Sequence, residues 1–377
     1  MRAAGRPIQL YSGDVHGQDT ALTKLRLGLV GTQFIGNLYL HSLRQVAEAE
    51  VVAVASPNTA ADFAARHEIV AHYADWREML AQVELDGLLV ATPNDTHHAI
   101  TLAAAELGVH VMCEKPLTLS LREANEMVAA CARAGTVLMY AENLVFVPMY
   151  QRVKHLAGTG SIGKPFLVKQ AQCHGGPYSP WFWDVDRAGG GVLLDMGCHS
   201  IHSICWTIGA WPEAVTATMG RYAHAEKGRG EDHATVLLHF ADGALGIAEN
   251  SWAMPGGNDY LEVYGPQGRL TANLERGPAI SMYRAPGEET ALDPTTRSGW
   301  HYPMYEEAWQ FGFPQELQHF VDVIKGREAL KSSGEDGRRV LEFICAAYES
   351  ARTGRRVGLP FASNAAKPID HWFGAVE

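Results

Sequence analysis

The 377-residue sequence has no cysteine framework: Cys113, Cys131, Cys173, Cys198, Cys205 and Cys345 are scattered through apolar segments, without CxxC pairs. That argues against a disulfide-stapled fold and for reduced thiols, as in a cytoplasmic enzyme. Long hydrophobic runs are missing too; no stretch approaches the roughly 18 apolar residues that a membrane span requires. Positive charge is also short. With 31 Lys and Arg against 42 Asp and Glu, a net charge of -11, the chain lacks the clustered cations that displace counterions from a phosphate backbone, so no nucleic-acid partner is expected. Residues 1–23 contain Arg2, Arg6, Asp14, His16 and Asp19 but no apolar h-region, and read as a loose extension rather than a secretory signal. There is no internal repeat and no low-complexity tract.

What is present is an ordinary globular composition, 47% apolar and 19% charged, in a chain long enough for two cores and a cleft between them. From Leu25 to Leu138 short apolar runs alternate with helix-like segments, the pattern of a parallel sheet covered on both faces. Strands are expected at Leu25–Val30, Val51–Ala55, Gly87–Ala91, Val109–Cys113 and Val137–Ala141. Ser120-Leu121-Arg122-Glu123 reads as a capping box opening a helix that runs to about Ala134 and stops at Gly135. After Asn143, Gly and aromatic residues become frequent and strand-like alternation appears at Phe166–Cys173, Ala234–Phe240 and Ala244–Asn250. The Asp242-Gly243 pair between the last two suits a tight primed hairpin turn. Pro314–Ile324 and Gly337–Arg352 have helical periodicity and should pack against the body. The expectation is an α/β protein: a doubly wound parallel domain at 24–143, then a second domain at 144–377 on an antiparallel or mixed sheet.

Gly31-Thr32-Gln33-Phe34-Ile35-Gly36 follows the first strand and precedes a helix, where backbone N–H groups and the positive helix end can hold a pyrophosphate. Gln33 stands where the middle glycine of GxGxxG belongs, and an ordinary strand–helix turn has the same look. At the end of the second strand, Ser56-Pro57-Asn58 replaces the acidic residue that usually binds ribose hydroxyls. NADP is therefore admissible, and the lack of a nearby arginine keeps NAD open; Asn58 as a plain helix cap is the alternative. Thr92-Pro93-Asn94, with His97 opening the next helix, lies at another strand end, facing the crevice where a cofactor would bind, although a turn also needs Pro and Asn.

Cys113-Glu114-Lys115-Pro116 comes at the following strand end, so Lys115 should point into the crevice, with burial and nearby positive charge lowering its pKa. In the second half, Gly189-Gly190-Gly191 leads to Asp195 and His199, four residues apart and so on one face of a helix. A histidine suits the uptake of an alcohol proton, and the aspartate can orient it. His202 on the same face raises a metal reading, set aside because hydride transfer needs no metal. Trp181, Trp183 and Arg187 offer a stacking wall and a hydroxyl clamp, with the core as the plain alternative for either tryptophan.

Together the glycine turn, Thr92-Pro93-Asn94, Glu114-Lys115-Pro116 and the triple glycine to His199 closely resemble the Gfo/Idh/MocA family, from about Lys24 to Pro360. The resemblance implies a Rossmann domain followed by an α/β domain with a large open, mainly antiparallel sheet used for homodimer or homotetramer contacts. It implies NAD or NADP as cofactor, with Glu114, Lys115 and Asn143 joining the residues already named around it. It implies Lys115, Asp195 and His199 as the catalytic set, with a sugar, sugar derivative or inositol as substrate. Departures are Gln33, Ser56, the Asn143-Leu144-Val145-Phe146 segment without its usual arginine, and His202 in place of an aspartate. Two other activities fit similar residues: glycoside processing through transient oxidation of a hydroxyl, and cofactor sensing without chemistry.

Overall fold

The structure, a computed structural model, describes residues 24–274, 282–284, 299–301 and 307–374. The expected extension at 1–23 lies outside these residues. In the first half the Val- and Leu-rich runs form strands and the segments between them helices. In chain order these are β1 (Leu25–Val30), α1 (Phe34–Leu43), β2 (Ala49–Ala55), α2 (Ala60–His67), β3 (Ala71–Tyr73), α3 (Trp76–Gln82), β4 (Gly87–Val90), α4 (His97–Glu106), β5 (His110–Glu114), α5 (Leu121–Ala134) and β6 (Leu138–Ala141). They make one parallel sheet in the order β3-β2-β1-β4-β5-β6. Every residue of β4 and β6 is buried, as expected of strands with helices on both faces. The strand order reverses between β1 and β4, so their C-terminal ends open a crevice, the usual ligand site of such sheets.

All five expected strands are present with small shifts at their ends. The edge strand β3 escaped the pattern because three residues are too few to display a period. The Ser120 hydroxyl accepts the Glu123 N–H as expected, but the Glu123 carboxylate takes the Thr118 hydroxyl at 2.6 Å, so only half of the capping box forms.

The second half contributes α6 (Pro148–Gly158), β7 (Leu167–Cys173), α7 (Val185–Ala188), α8 (Val192–Asp195), α9 (Gly197–Ile208), β8 (Ala214–Gly220), β9 (His233–His239), β10 (Leu245–Ser251), β11 (Asn258–Gly265) and β12 (Gly268–Asn273). After these come the short pair β13 (Met282–Arg284) and β14 (Gly299–His301), then α10 (Glu307–Gln310), α11 (Phe313–Ile324), α12 (Gly334–Thr353), β15 (Val357–Gly358) and α13 (Asp370–Phe373). The large sheet has seven strands in the order β12-β11-β7-β10-β9-β8-β15. Its neighbours are antiparallel except for the β7–β10 pair. Helices α9 and α12 pack on one face, and β10 admits α9 closely because a side chain at Gly246 would meet Ile204 at 2.6 Å. On β9 buried residues alternate with half-buried ones, so the other face is open.

The β9–β10 turn corrects one expectation. Only Gly243 takes a left-handed φ, +86°, while Asp242 accepts the Ala244 N–H with its carboxylate. The Gly243 N–H bonds to the Phe240 carbonyl and Phe240 N–H to the Ala244 carbonyl. This is a three-residue loop with a glycine bulge, not a primed two-residue turn. Helix α12 begins at Gly334, earlier than the periodicity indicates, because Ser333 and Asp336 form a complete capping box.

Although α11 follows six of the seven strands of the second sheet in the chain, it packs on the first. Leu317, Phe320 and Val321 join Leu27 and Leu29 in one apolar cluster, and the bare Gly87 leaves room for the Phe320 ring, 3.1 Å from where a side chain would begin. Among the described residues no helix is long and apolar enough to cross a membrane.

Candidate active site

The crevice over the first sheet is shaped by backbone. Gly31 has φ +104°, and a Cβ there would lie 2.0 Å from the Ala91 carbonyl oxygen. At Gly36 it would lie 2.4 Å from the Gly31 carbonyl. Gln33 is the exposed N-cap of α1 at φ -85° and its side chain does not cap the helix. Its backbone is open to any L-residue, so losing the middle glycine does not distort the turn. The first N–H groups of α1 are thereby presented to the crevice, a cradle that fits a pyrophosphate. Thr32 is buried, its hydroxyl on Thr59, and Ser56 bonds the same Thr59 hydroxyl at 2.9 Å. Asn58 is exposed and is not the cap of α2, whose N-cap is Thr59. Ile35 is half-buried, and Phe34 is exposed with its ring 6.1 Å from that of Tyr178.

Several residues expected at the cofactor have other partners. Asn94 donates its amide to the Ala188 carbonyl at 2.8 Å, joining the two halves of the molecule. Thr92 accepts the Thr96 hydroxyl at 2.6 Å. Buried His97 sets one ring nitrogen 2.9 Å from the Pro116 carbonyl and the other 2.9 Å from that of Thr92, so it ties together the two loops that frame the crevice. Burial holds its pKa below the usual value. Glu114 is sealed beneath, accepting the Tyr39 hydroxyl and the Lys115 N–H. Asn143 donates to the Phe311 carbonyl at 2.8 Å.

Lys115 does reach the cleft, and its environment differs from the expected one. Its ammonium donates to Asp195 Oδ1 at 2.7 Å and to the Asp195 carbonyl at 3.3 Å. Burial pulls the lysine pKa down, but the Asp195 carboxylate beside it outweighs this and holds Lys115 above its usual value. It is therefore a charged donor, correcting the expectation of a lowered pKa; the group it meets is an anion, not a cation. Asp195 Oδ2 accepts the indole N–H of Trp252 at 3.2 Å. Burial pushes this carboxyl up, yet Lys115 beside it keeps it below its ordinary value.

His199 is also in place, but Asp195 does not orient it. Met196 separates α8 from α9, so the two residues lie on consecutive helical segments. The partner of His199 is Glu142, whose Oε1 lies 2.6 Å from Nδ1 and whose side chain is fully buried. Glu142, Trp252 and His174 were invisible to motif reading because each arrives by folding from a distant segment. His174 follows β7 and engages Gly176 through Nδ1; burial holds its pKa down against the neighbouring Asp195 carboxylate.

Two family models match these halves. One, described as an oxidoreductase family with an NAD-binding Rossmann fold, covers residues 25–142; the other, the GFO/IDH/MocA C-terminal domain, covers 150–271. The chain belongs to the Gfo/Idh/MocA family. The myo-inositol 2-dehydrogenase of Thermotoga maritima is 27% identical over 340 residues, 89% of this chain and 98% of that one. The D-apiose dehydrogenase of Paraburkholderia graminis is 29% identical over 353 residues, 90% and 91% of the two chains. The solved structure of GenD2 from gentamicin A biosynthesis, in complex with NAD, superposes with a TM-score of 0.84 at 30% identity, covering 93% of this chain and all 100% of that one.

In this Gfo/Idh/MocA protein the triple glycine makes room for the site's supports. A Cβ at Gly190 would lie 2.4 Å from the Tyr348 hydroxyl, and one at Gly191 2.0 Å from the Glu231 carbonyl. Glu231 Oε1 accepts the Leu193 N–H at 2.8 Å and the Tyr348 hydroxyl at 2.9 Å, fixing α8 and hence Asp195. Trp183 is half-buried with its ring 5.0 Å from that of Trp252, whereas Trp181 stacks on Phe182. Arg187 is exposed and pairs with Asp95 at 3.4 Å. His202 lies parallel to Trp211 in the interior.

Proposed function

We propose that the protein is an NAD-dependent dehydrogenase acting on a secondary alcohol of a sugar, sugar derivative or cyclitol. The observation that carries this reading is the convergence of Lys115, Asp195 and His199 beside the crevice of an NAD-binding fold. When bound, NAD supplies the nicotinamide carbon that accepts or returns a hydride. Of the three N–H bonds of Lys115, two point at Asp195 and the third is left for the substrate oxygen. As that oxygen loses its proton to His199, the lysine's positive charge stabilises the negative charge that develops on it. Asp195, held by Trp252, keeps the lysine aimed. Trp183 beside Trp252 offers an apolar face to a sugar ring.

The substrate class is supported by the inositol and apiose dehydrogenases among the relatives. NAD is favoured over NADP because Ser56-Pro57-Asn58 brings no cation for a 2′-phosphate and GenD2 is recorded with NAD. The division into a cofactor domain and a substrate domain at about 143 belongs to this reading. So does self-association through the open face of the large sheet, measurable by light scattering. The direct test is nicotinamide absorbance with a panel of polyols and pyranosides in both directions; no change with any of them would remove the dehydrogenase reading.

A further inference from the structure

The wall behind His199 is a buried group of carboxyls without a counterpart in the proposed chemistry. Glu142, from the turn after β6, bonds His199 through Oε1, and the same oxygen accepts the Leu144 N–H at 3.2 Å. Its Oε2 meets no hydrogen-bond donor among the described residues. Glu316, from α11, is fully buried with neither oxygen partnered among the described residues. It feels both Glu114 and Glu142. Buried carboxyls left unpaired are costly unless protonated, so neighbouring acids divide into charged and neutral members.

We propose that Glu142 is the positioning residue of the reaction: it takes the Nδ1–H of His199 and thereby leaves the lone pair on Nε2 for the alcohol proton. This inference rests on the hydride-transfer reading. Two independent features support it beyond the 2.6 Å contact. First, the backbone N–H of Leu144 fixes the accepting oxygen, so the carboxylate cannot follow the ring if the ring swings away. Second, of Glu142 and Glu316 it is Glu142 that carries the charge. Burial and the carboxylates of Glu114 and Glu142 push Glu316 far above its usual pKa, leaving it a neutral acid. Burial also pushes Glu142 up, but His199 and the hydrogen bond it makes bring it below the ordinary value.

The groups facing this pair are accounted for by element. On α9 they are His199, Cys198 and His202, burial pushing the Cys198 thiol up and the His202 imidazole down; β6 adds Tyr140 and α8 adds Asp195. From α11 comes Glu316, and from the end of β5 Glu114, which burial also raises. From β11 comes Asp259, pushed up to about 6 by burial and bonded to Tyr150. In oxidation the alcohol carbon gives up its hydride and the O–H proton passes to Nε2. The imidazolium so formed keeps its Nδ1–H on the Glu142 carboxylate, which offsets the new charge. Reduction returns the same proton to the oxygen.

The test is nuclear magnetic resonance of the whole protein with isotope-labelled histidine, His199 being assigned by the signal lost in His199→Asn. At alkaline pH the wild-type ring should carry its hydrogen on Nδ1. In Glu142→Leu, which leaves Nδ1 without an acceptor, the hydrogen should move to Nε2. kcat should then fall at least about 100-fold, because the proton acceptor is blocked. Glu142→Asp should keep the Nδ1–H signal and part of kcat, and its pH profile should keep the rising limb that Glu142→Leu loses. A wild-type ring protonated on Nε2, or Glu142→Leu with full kcat and an unaltered pH profile, overturns the proposal. The ring signal needs no substrate, so it is read even if no alcohol is turned over, and that failure would count against the dehydrogenase reading alone.

Discussion

On the cofactor side of the cleft the wall is made by backbone meeting backbone: the Gly31 turn lies against the Ala91 carbonyl, and Gly36 lies against Gly31. On the substrate side it is made by side chains that hold one another, Lys115 to Asp195 to Trp252 and His199 to Glu142. A wall of main chain accepts many side chains at its rim, which is why Gln33 and Ser56 stand in the glycine and acid positions without disturbing the turn. A wall of interlocked side chains leaves each member with a single adequate identity. The first half of the site should therefore fail through sterics, and the second through charge and hydrogen bonding.

The comparison can be broken in several places, with the largest effect expected at Lys115. Lys115→Ala should lower kcat by roughly 1000-fold or more while leaving NAD affinity, read by fluorescence titration, within a few-fold. Full turnover in this variant would remove the lysine from the mechanism. Gly31→Ala should act in the opposite manner, costing about 3 kcal/mol or more of stability through a forbidden φ and the Ala91 clash, with a matching drop in Tm and cofactor affinity.

The substrate side should also carry the pH sensitivity. Burial pushes Glu231 to about 7 from an ordinary 4.5. A carboxyl raised on folding contributes its full stability below the unfolded value and loses it as pH rises through the folded one. Glu231→Gln should thus match wild type in acid and exceed it by up to about 3 kcal/mol at alkaline pH. Parallel Tm curves across that range would exclude Glu231 as the cause. Trp252→Phe removes only the indole N–H on Asp195, and kcat/KM should fall about 10-fold with NAD affinity unchanged. The smallest effect belongs to Ser56→Asp, where isothermal titration should find NAD binding retained and NADP binding weakened several-fold by charge repulsion.

The fold was legible where local chemistry and tertiary packing agree. The five long strands of the first sheet, the Ser120 cap and the Gly135 stop carry their own periods and end signals. β3 carries too short a period, and α12 starts where Ser333 and Asp336 cap it rather than where its apolar stripe becomes regular. In the site, Lys115 and His199 could be read because each sits in a recognisable local motif. Glu142 stood one residue before a named position, yet nothing local distinguishes it; its meeting with α9 is a product of the way the two halves close. Trp252, at the end of β10, reaches Asp195 for the same reason. The direction of the Lys115 pKa shift is not legible in the sequence, because its sign depends on which charges the fold brings near, and sequence distance does not order those.

The return of α11 to the first sheet bears on how the protein is made. Synthesis runs from the N-terminus, and domains commonly fold as they emerge. Here the first sheet emerges early, but the Leu317, Phe320 and Val321 side chains that cover Leu27 and Leu29 are added only after six of the seven strands of the second sheet. Until then an apolar flank and the notch at Gly87 stay open on the nascent chain. The first sheet is synthesised before the helix that completes it, so a ribosome that stops short of residue 313 releases a sheet with one flank uncovered.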